Sequence, residues 1–454
     1  MQQPRAVAVY RGEGAGWRSV QSTVSSLSRL LPPARFEVGT LCARELLAGG
    51  WQARTALLVM PGGADLPYCK HLNGAGNALV RDFVAGGGSY LGLCAGAYYA
   101  ASRVEFEAGG AMGVVGRREL RFFPGAARGA VVAGFDYQTE RGAAAVRLRH
   151  VAREELQRWA AAEAGAAACA EGPAPLQQRG QEEQRLVGGF RSESGQAVFD
   201  GPGSPRGSSR WQETLDYCNG GPFFVAPDGS PDWECTGDGG GGGGGLAGVQ
   251  VLARYVGLPP DALSRVAPSG AAAAAAAAAE GGPRAAAAAV AAVRCRVGRG
   301  AAVLCGTHPE LEARWLDVCG TTARGDPLTP GAVAAIAAGA GAAPLAAAAT
   351  GAPAGRAAQA GARGGGGTSP VATQSAVGLQ TVSFGAPAAA DAWAPTAAAA
   401  AAAAAACPDA ALAHHTAALH AALEAAQPRR DELLRVLLLA ALMHQGLSAD
   451  ALDG

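Results

Sequence analysis

Long alanine- and glycine-dominated stretches set the tightest limit on what this chain can fold into. Residues 321 to about 407 carry few large apolar side chains, an alanine run fills Ala271–Ala279, and glycine alone occupies Gly239–Gly245. Burying a Leu or Phe side chain is worth roughly 1.5–3 kcal/mol, while ordering each backbone residue costs about 1–2 kcal/mol. Sequence of this kind loses that contest, so disorder is expected over 321–409, with insertions at about 237–247 and 268–289 and an irregular or loosely helical insertion at about 151–212. The 454 residues therefore predict one packed domain over 5–320, interrupted by insertions, and a helical region over 410–448 that packs back on it.

Between those stretches the packable sequence has a recognisable order. The first 150 residues alternate strand and helix signals, as in a parallel α/β sheet. Strands are predicted at Ala6–Tyr10, Arg35–Leu41 and Ala56–Met60. Val20, Val24, Leu27 and Leu31 share one helical face, and another helix is expected over about 76–84. Shorter strands with glycine turns follow over 114–148, and AVRCRVGRGAAVLCG reads as a hairpin turning at Gly298–Gly300. Near the C-terminus Leu434, Leu437, Leu438, Ala441 and Leu442 line a helix over 431–447.

Charge and cysteine usage exclude several classes. The chain has 37 basic and 37 acidic residues and no basic block, so nucleic acid is not an expected partner. Ten cysteines occur without a C-x-x-C pair or a Cys/His cluster at metal spacing, which predicts a reducing, cytoplasmic setting and no metal. The strand-like AVAVY begins within five residues of the N-terminus, leaving no room for a leader. The leucine-rich run Leu433–Met443 is too short to span a bilayer, so no membrane association is expected.

One constellation carries chemistry. In SYLGLCAGAYYA, Cys94 stands between small residues at a predicted strand-to-helix turn, with Gly92 and Gly96 allowing a tight bend. Such an elbow presents a sulfur at the end of a sheet, although a small buried cysteine fits the same pattern. A thiol nucleophile needs a base and a group that orients the base. Of seven histidines only His308, in Thr307-His308-Pro309-Glu310 after a predicted strand, has a carboxylate, Glu310, placed for that work. Pro61-Gly62-Gly63 closes an earlier strand, so Gly62, Gly63 and the residue after the cysteine, Ala95, are candidates for substrate and oxyanion binding at the carboxyl edge of the sheet. Gly12-Glu13-Gly14-Ala15-Gly16 has the look of a phosphate loop. The third glycine of that fingerprint would fall on Trp17 and no acidic residue ends the second strand, so it reads as a turn.

The G-x-C-x-G cysteine, the late His-Pro-Glu and the earlier glycine turn together resemble class I glutamine amidotransferases. That resemblance implies a flavodoxin-like sheet, with Cys94 as nucleophile, His308 as base and Glu310 as its orienter. VYRGEGAG, MPGGADLPY, GLCAGAYYAASRVEFE, RELRFFPGAARG, YCNGGPFF and VGRGAAVLCGTHPE are more closely similar, in that order, to the amidotransferase-like N-terminal domain of eukaryotic biotin-protein ligases. The similarity covers about 5–150, 213–257, 288–318 and 410–448. A ligase catalytic domain would need a Gly-Arg-Gly-rich adenylate loop and a lysine on the adenylate, and the only lysine is Lys70. The expectation is the accessory domain alone, without cofactor. It would act either as a cysteine-dependent hydrolase of a glutamine-type amide, or as a non-catalytic regulatory module that binds a small metabolite or a separate biotin-protein ligase or acceptor enzyme.

Overall fold

The computed structural model describes residues 4–137, 139–170, 210–228, 246–258, 289–316 and 409–452. The expectations for 237–245, 268–288 and 321–407 lie outside the described residues.

Five parallel strands form the heart of the sheet. They are β1 (Arg5–Tyr10), β2 (Phe36–Leu41), β3 (Thr55–Met60), β4 (Ser89–Leu93) and, from much later in the chain, β13 (Gly300–Cys305). Their order is β2-β1-β3-β4-β13, the flavodoxin-like arrangement. Both faces of β1, β3 and β4 are covered, which is why these strands read as nearly continuous apolar runs. Side chains alternate between two cores. Val7, Val9, Leu57, Val59, Leu91, Leu93 and Val303 pack on one face, while Ala8, Tyr10, Leu58, Met60, Tyr90 and Leu304 pack on the other.

The first face is closed by α1 (Trp17–Leu30), which contributes Val20, Val24 and Leu27 as its spacing predicts, together with Leu30; the predicted Leu31 reaches the same core from just past the helix end. The opposite face carries α2 (Ala43–Ala48), α3 (Asp65–Leu72), α4 (Ala75–Ala85) and α5 (Ala95–Ala100). From α5 the chain runs into an added β-rich region: β5 (Ala101–Phe106), β6 (Val114–Arg117), β7 (Phe123–Gly129) and β8 (Ala143–Val151). Further on come β9 (Trp211–Asn219), β10 (Phe223–Val225), β11 (Val249–Tyr255) and β12 (Val290–Val297). β12 pairs antiparallel with β13 through the expected hairpin, Val297 opposite Gly300, and extends the sheet through β10, β7, β5 and β6. β8, β9 and β11 form a side branch joined at β12.

Two elements are more regular or longer than the local sequence signal that marks them. Residues 153–170, inside the expected insertion, form α6 (Arg153–Ala170); Trp159 packs against the core and Glu163 pairs with the buried Arg294 at 2.6 Å. The C-terminal helix α7 (Ala410–Leu442) is about twice as long as the leucine pattern over 431–447 suggests. Asp409 caps it by accepting from Leu412 N at 2.9 Å, and the helix runs through Pro428. Its two halves are anchored separately, Leu419 and Leu423 beside Tyr217 and Leu311, and Leu433 to Leu442 on the α1 face of the sheet. That tertiary anchoring on both sides outweighs the bond a mid-helix proline removes.

Candidate functional site

Three strand ends converge at the carboxyl edge of the parallel sheet. β3 delivers Pro61-Gly62-Gly63, β4 delivers Cys94, and β13 delivers Thr307-His308-Pro309-Glu310. β4 lies between the other two, so the sulfur-bearing residue sits centrally among the three turns.

The bend at Cys94 is sharp. Its φ of 47° and ψ of −101° lie where a side-chain-bearing residue is strained, and Cys94 N donates to Cys305 O at 2.9 Å. The flanking glycines are required for contact. A Cβ on Gly92 would come within 2.5 Å of Gly96 O, and one on Gly96 within 2.0 Å of Met60 O. The sulfur is mostly buried and lies 3.8 Å from Asn219 O. Burial pushes the Cys69 thiol up to about 11, Cys218 up to about 12 and Cys305 higher still.

His308 is fixed on every side. Its N–H donates to Tyr217 O at 2.9 Å, its ring meets the Tyr217 ring edge-on at 5.6 Å, and its Nδ1 is 2.8 Å from Glu310 Oε1. The Cys94 side chain lies close enough to the same ring to act on its charge. With Nδ1 taken by the carboxylate, Nε2 is the atom left for the sulfur. Burial works against a charged imidazole here, but the Glu310 carboxylate and Cys94 outweigh it and raise the His308 pKa well above the ordinary value. Gly62 makes this approach possible, since a Cβ there would lie 2.2 Å from the ring Cε1.

Glu310 is fully buried. Its Oε1 also accepts from Ser19 Oγ at 2.9 Å, its Oε2 has no partner among the described residues, and its carbonyl accepts from Ser26 Oγ at 2.9 Å. Ser19 in turn accepts from Gly62 N at 2.9 Å, tying the β3 turn to the carboxylate. The Gly62 N–H is thereby committed, so among the three expected donors Gly62 serves as the platform under His308. Gly63 and Ala95 keep N–H groups with no acceptor among the described residues. The Gly14–Gly16 loop supports this turn, with Gly16 N donating to Gly62 O and Ala64 N to Gly14 O, both at 2.8 Å. A Cβ on Gly63, whose φ is 143°, would lie 2.0 Å from Gly14 O.

Sequence reasoning missed Ser19 and Arg430. Ser19, Ser22 and Ser26 occupy buried positions on α1, and that i, i+3, i+7 spacing of small polar residues was the available signal. Arg430 on α7 has no such mark. It is wholly buried, donating from Nε to Asp216 Oδ1 at 2.8 Å and from Nη2 to the carbonyls of His308 at 2.9 Å and Leu311 at 2.6 Å. Tyr137, half-exposed, stands close enough to Cys94 that burial first, then Cys94 and Asp65, raises its phenol. Among the described residues no cluster of His, Cys, Asp and Glu could hold a metal ion, and no helix is long and apolar enough to cross a membrane.

Comparison with known proteins sets this geometry in context. Residues 5–169 match the family described as biotin-protein ligase, N terminal. A biotin-protein ligase of Schizosaccharomyces pombe is 41% identical over 138 residues, 30% of this chain and 22% of the relative. An uncharacterized protein of Chlamydia muridarum is 39% identical over 149 residues, 32% of this chain and 56% of the relative. The matches thus span under two thirds of either relative's length. A solved ThuA-like protein from Bacteroides uniformis superposes with a TM-score of 0.31 at 9% identity, covering 68% of this chain and 84% of that one, too slight a likeness to bear on the fold. Cys94, Gly62, Gly63 and Ala95 lie inside the matched segment, whereas His308 and Glu310 come from beyond it. Residues 5–169 thus carry this chain's similarity to the biotin-protein ligase N-terminal family, and the rest of the chain lies outside that match.

Proposed function

We propose that the chain is a cysteine-dependent amide hydrolase or amidotransferase of the class I glutamine amidotransferase type, acting on glutamine or a similar γ-carboxamide. The observation that carries this reading is the strained Cys94 bend beside a His308 ring whose Nδ1 is 2.8 Å from the buried Glu310. The Cys94 thiolate attacks the amide carbonyl carbon, and the C=O electron pair moves onto oxygen, held by the Gly63 and Ala95 N–H groups. As the C–N bond breaks, the His308 imidazolium gives its proton to the departing nitrogen, which leaves as ammonia. Water then attacks the thioester carbonyl with His308 taking its proton, and the thiolate leaves as the carboxylic acid forms.

A second reading follows from the comparisons: a regulatory or interaction module that works beside a separate biotin-protein ligase. It rests on the S. pombe relative being a biotin-protein ligase and on the small share of it that this chain matches. One experiment divides the two. A glutamine-mimicking electrophile is expected to label Cys94 rapidly, with labelling lost in Cys94→Ala and slowed at least about tenfold in His308→Ala, alongside glutaminase turnover absent from Cys94→Ala. Labelling no faster than that of a free thiol, with no turnover, would overturn the enzymatic reading in favour of the module.

A further inference from the structure

Far along the sheet from β4, the extension β5–β7 carries an arrangement of arginines that the cysteine chemistry does not use. On β5, Arg103 and Glu105 are two residues apart and share a face. Arg103 stands opposite Arg117 of β6, and Glu105 opposite Arg128 of β7. Like charges directly opposite one another across two strands destabilise a sheet unless something neutralises them. Glu105 does part of this, accepting from Arg103 Nε at 2.7 Å and from Arg128 Nε at 2.5 Å.

Those bonds use the inner nitrogen of each guanidinium. The outer Nη groups of Arg103 and Arg128 have no acceptor among the described residues, although the Arg128 side chain is only 8% exposed. Both residues line a cavity of about 520 Å³ together with Arg117 and Arg121, whose φ of 51° is a strained, left-handed conformation. Glu105 and Asp228 are the carboxylates in that lining, so four arginines face two acids. A buried arginine fixed through Nε, with its fork left open to a cavity, is a preorganised anion receptor. Pro124 and Pro227 add apolar wall, and the volume exceeds that of a bare anion.

We propose that this cavity binds a small molecule carrying a phosphate or diphosphate group, with Arg128 and Arg103 as the fixed forks and Arg117 and Arg121 closing on the anion. A doubly charged, multi-oxygen group matches both the excess of two arginines and the number of open Nη donors. The site stands apart from Cys94 and does not depend on the proposed hydrolysis.

The test is calorimetric titration of the full chain with inorganic pyrophosphate at about 150 mM salt, where long-range attraction between exposed charges is screened. Saturable one-site binding is expected, weakened at least about tenfold in Arg117→Ala/Arg121→Ala, with citrate binding much less tightly than pyrophosphate. Arg117 and Arg121 are exposed, so this variant keeps the fold, checked by circular dichroism. Absence of saturable binding, equal binding by the double variant, or citrate binding as tightly as pyrophosphate would each overturn the proposal.

Discussion

A single oxygen, Glu310 Oε1, accepts from both the His308 ring and Ser19, and this shared acceptor governs the imidazole. The folded-state pKa of His308 lies above its unfolded value near about 6.5. The stabilisation from the charged ring is therefore complete below about pH 6.5 and fades as pH rises through the folded-state value. Burial alone acts in the opposite direction. Glu310→Gln is accordingly expected to drop the His308 pKa below its wild-type value, observable by NMR titration of the ring protons. Cys94 alkylation near pH 6 should slow along with it, because less imidazolium remains to favour the anionic sulfur. An unmoved His308 titration in that variant would remove Glu310 from its orienting part.

Among the elements, α7 does more than cover the sheet. Arg430 reaches from it to the carbonyls of His308 and Leu311 while pairing with Asp216 of β9, whose carboxyl is pushed up by burial and held back by Arg430. Removing one partner of a fully buried ion pair costs about 3–5 kcal/mol, whereas replacing both with apolar residues can be close to neutral. Urea denaturation of Arg430→Met should show a loss of that size, with part of it recovered in Arg430→Met/Asp216→Leu. Recovery of stability without recovery of Cys94 labelling would separate the positioning of His308 from its support. The leucines of α7 were legible because a 3.6-residue period marks a buried face; Arg430 was not, since a lone arginine beside Pro428 and Arg429 looks like solvated sequence. Likewise, strands β1 and β3 could be read from apolar runs within a residue of their ends, while α6 read only as irregular or loosely helical because its alanine-rich composition resembles its neighbours.

For the whole molecule, the order of strands matters more than their number. β13 comes from residues 300–305 yet lies between β4 and β12, and α7 packs Leu433, Leu434, Leu437 and Leu438 on the same core as α1. Each such leucine contributes roughly 1.5–3 kcal/mol by burial. Deleting residues 431–448 is therefore expected to lower the melting temperature by well over about 8 °C or to cause aggregation, read by calorimetry and size-exclusion chromatography. A truncated chain with an unchanged melting temperature would refute this account of the core. The motif order across separated blocks was visible in the sequence because each block keeps its own turn and strand chemistry; the pairing of β4 with β13 had no local signal, since nothing in either strand names its neighbour. That pairing also sets a schedule. On a ribosome adding about 5–20 residues per second, β4 leaves the tunnel some tens of seconds or less before β13 exists to occupy its free edge. During that interval the nascent chain leaves one edge of β4, a strand wholly buried in the finished sheet, without its neighbour, and Cys94 waits beside it without His308.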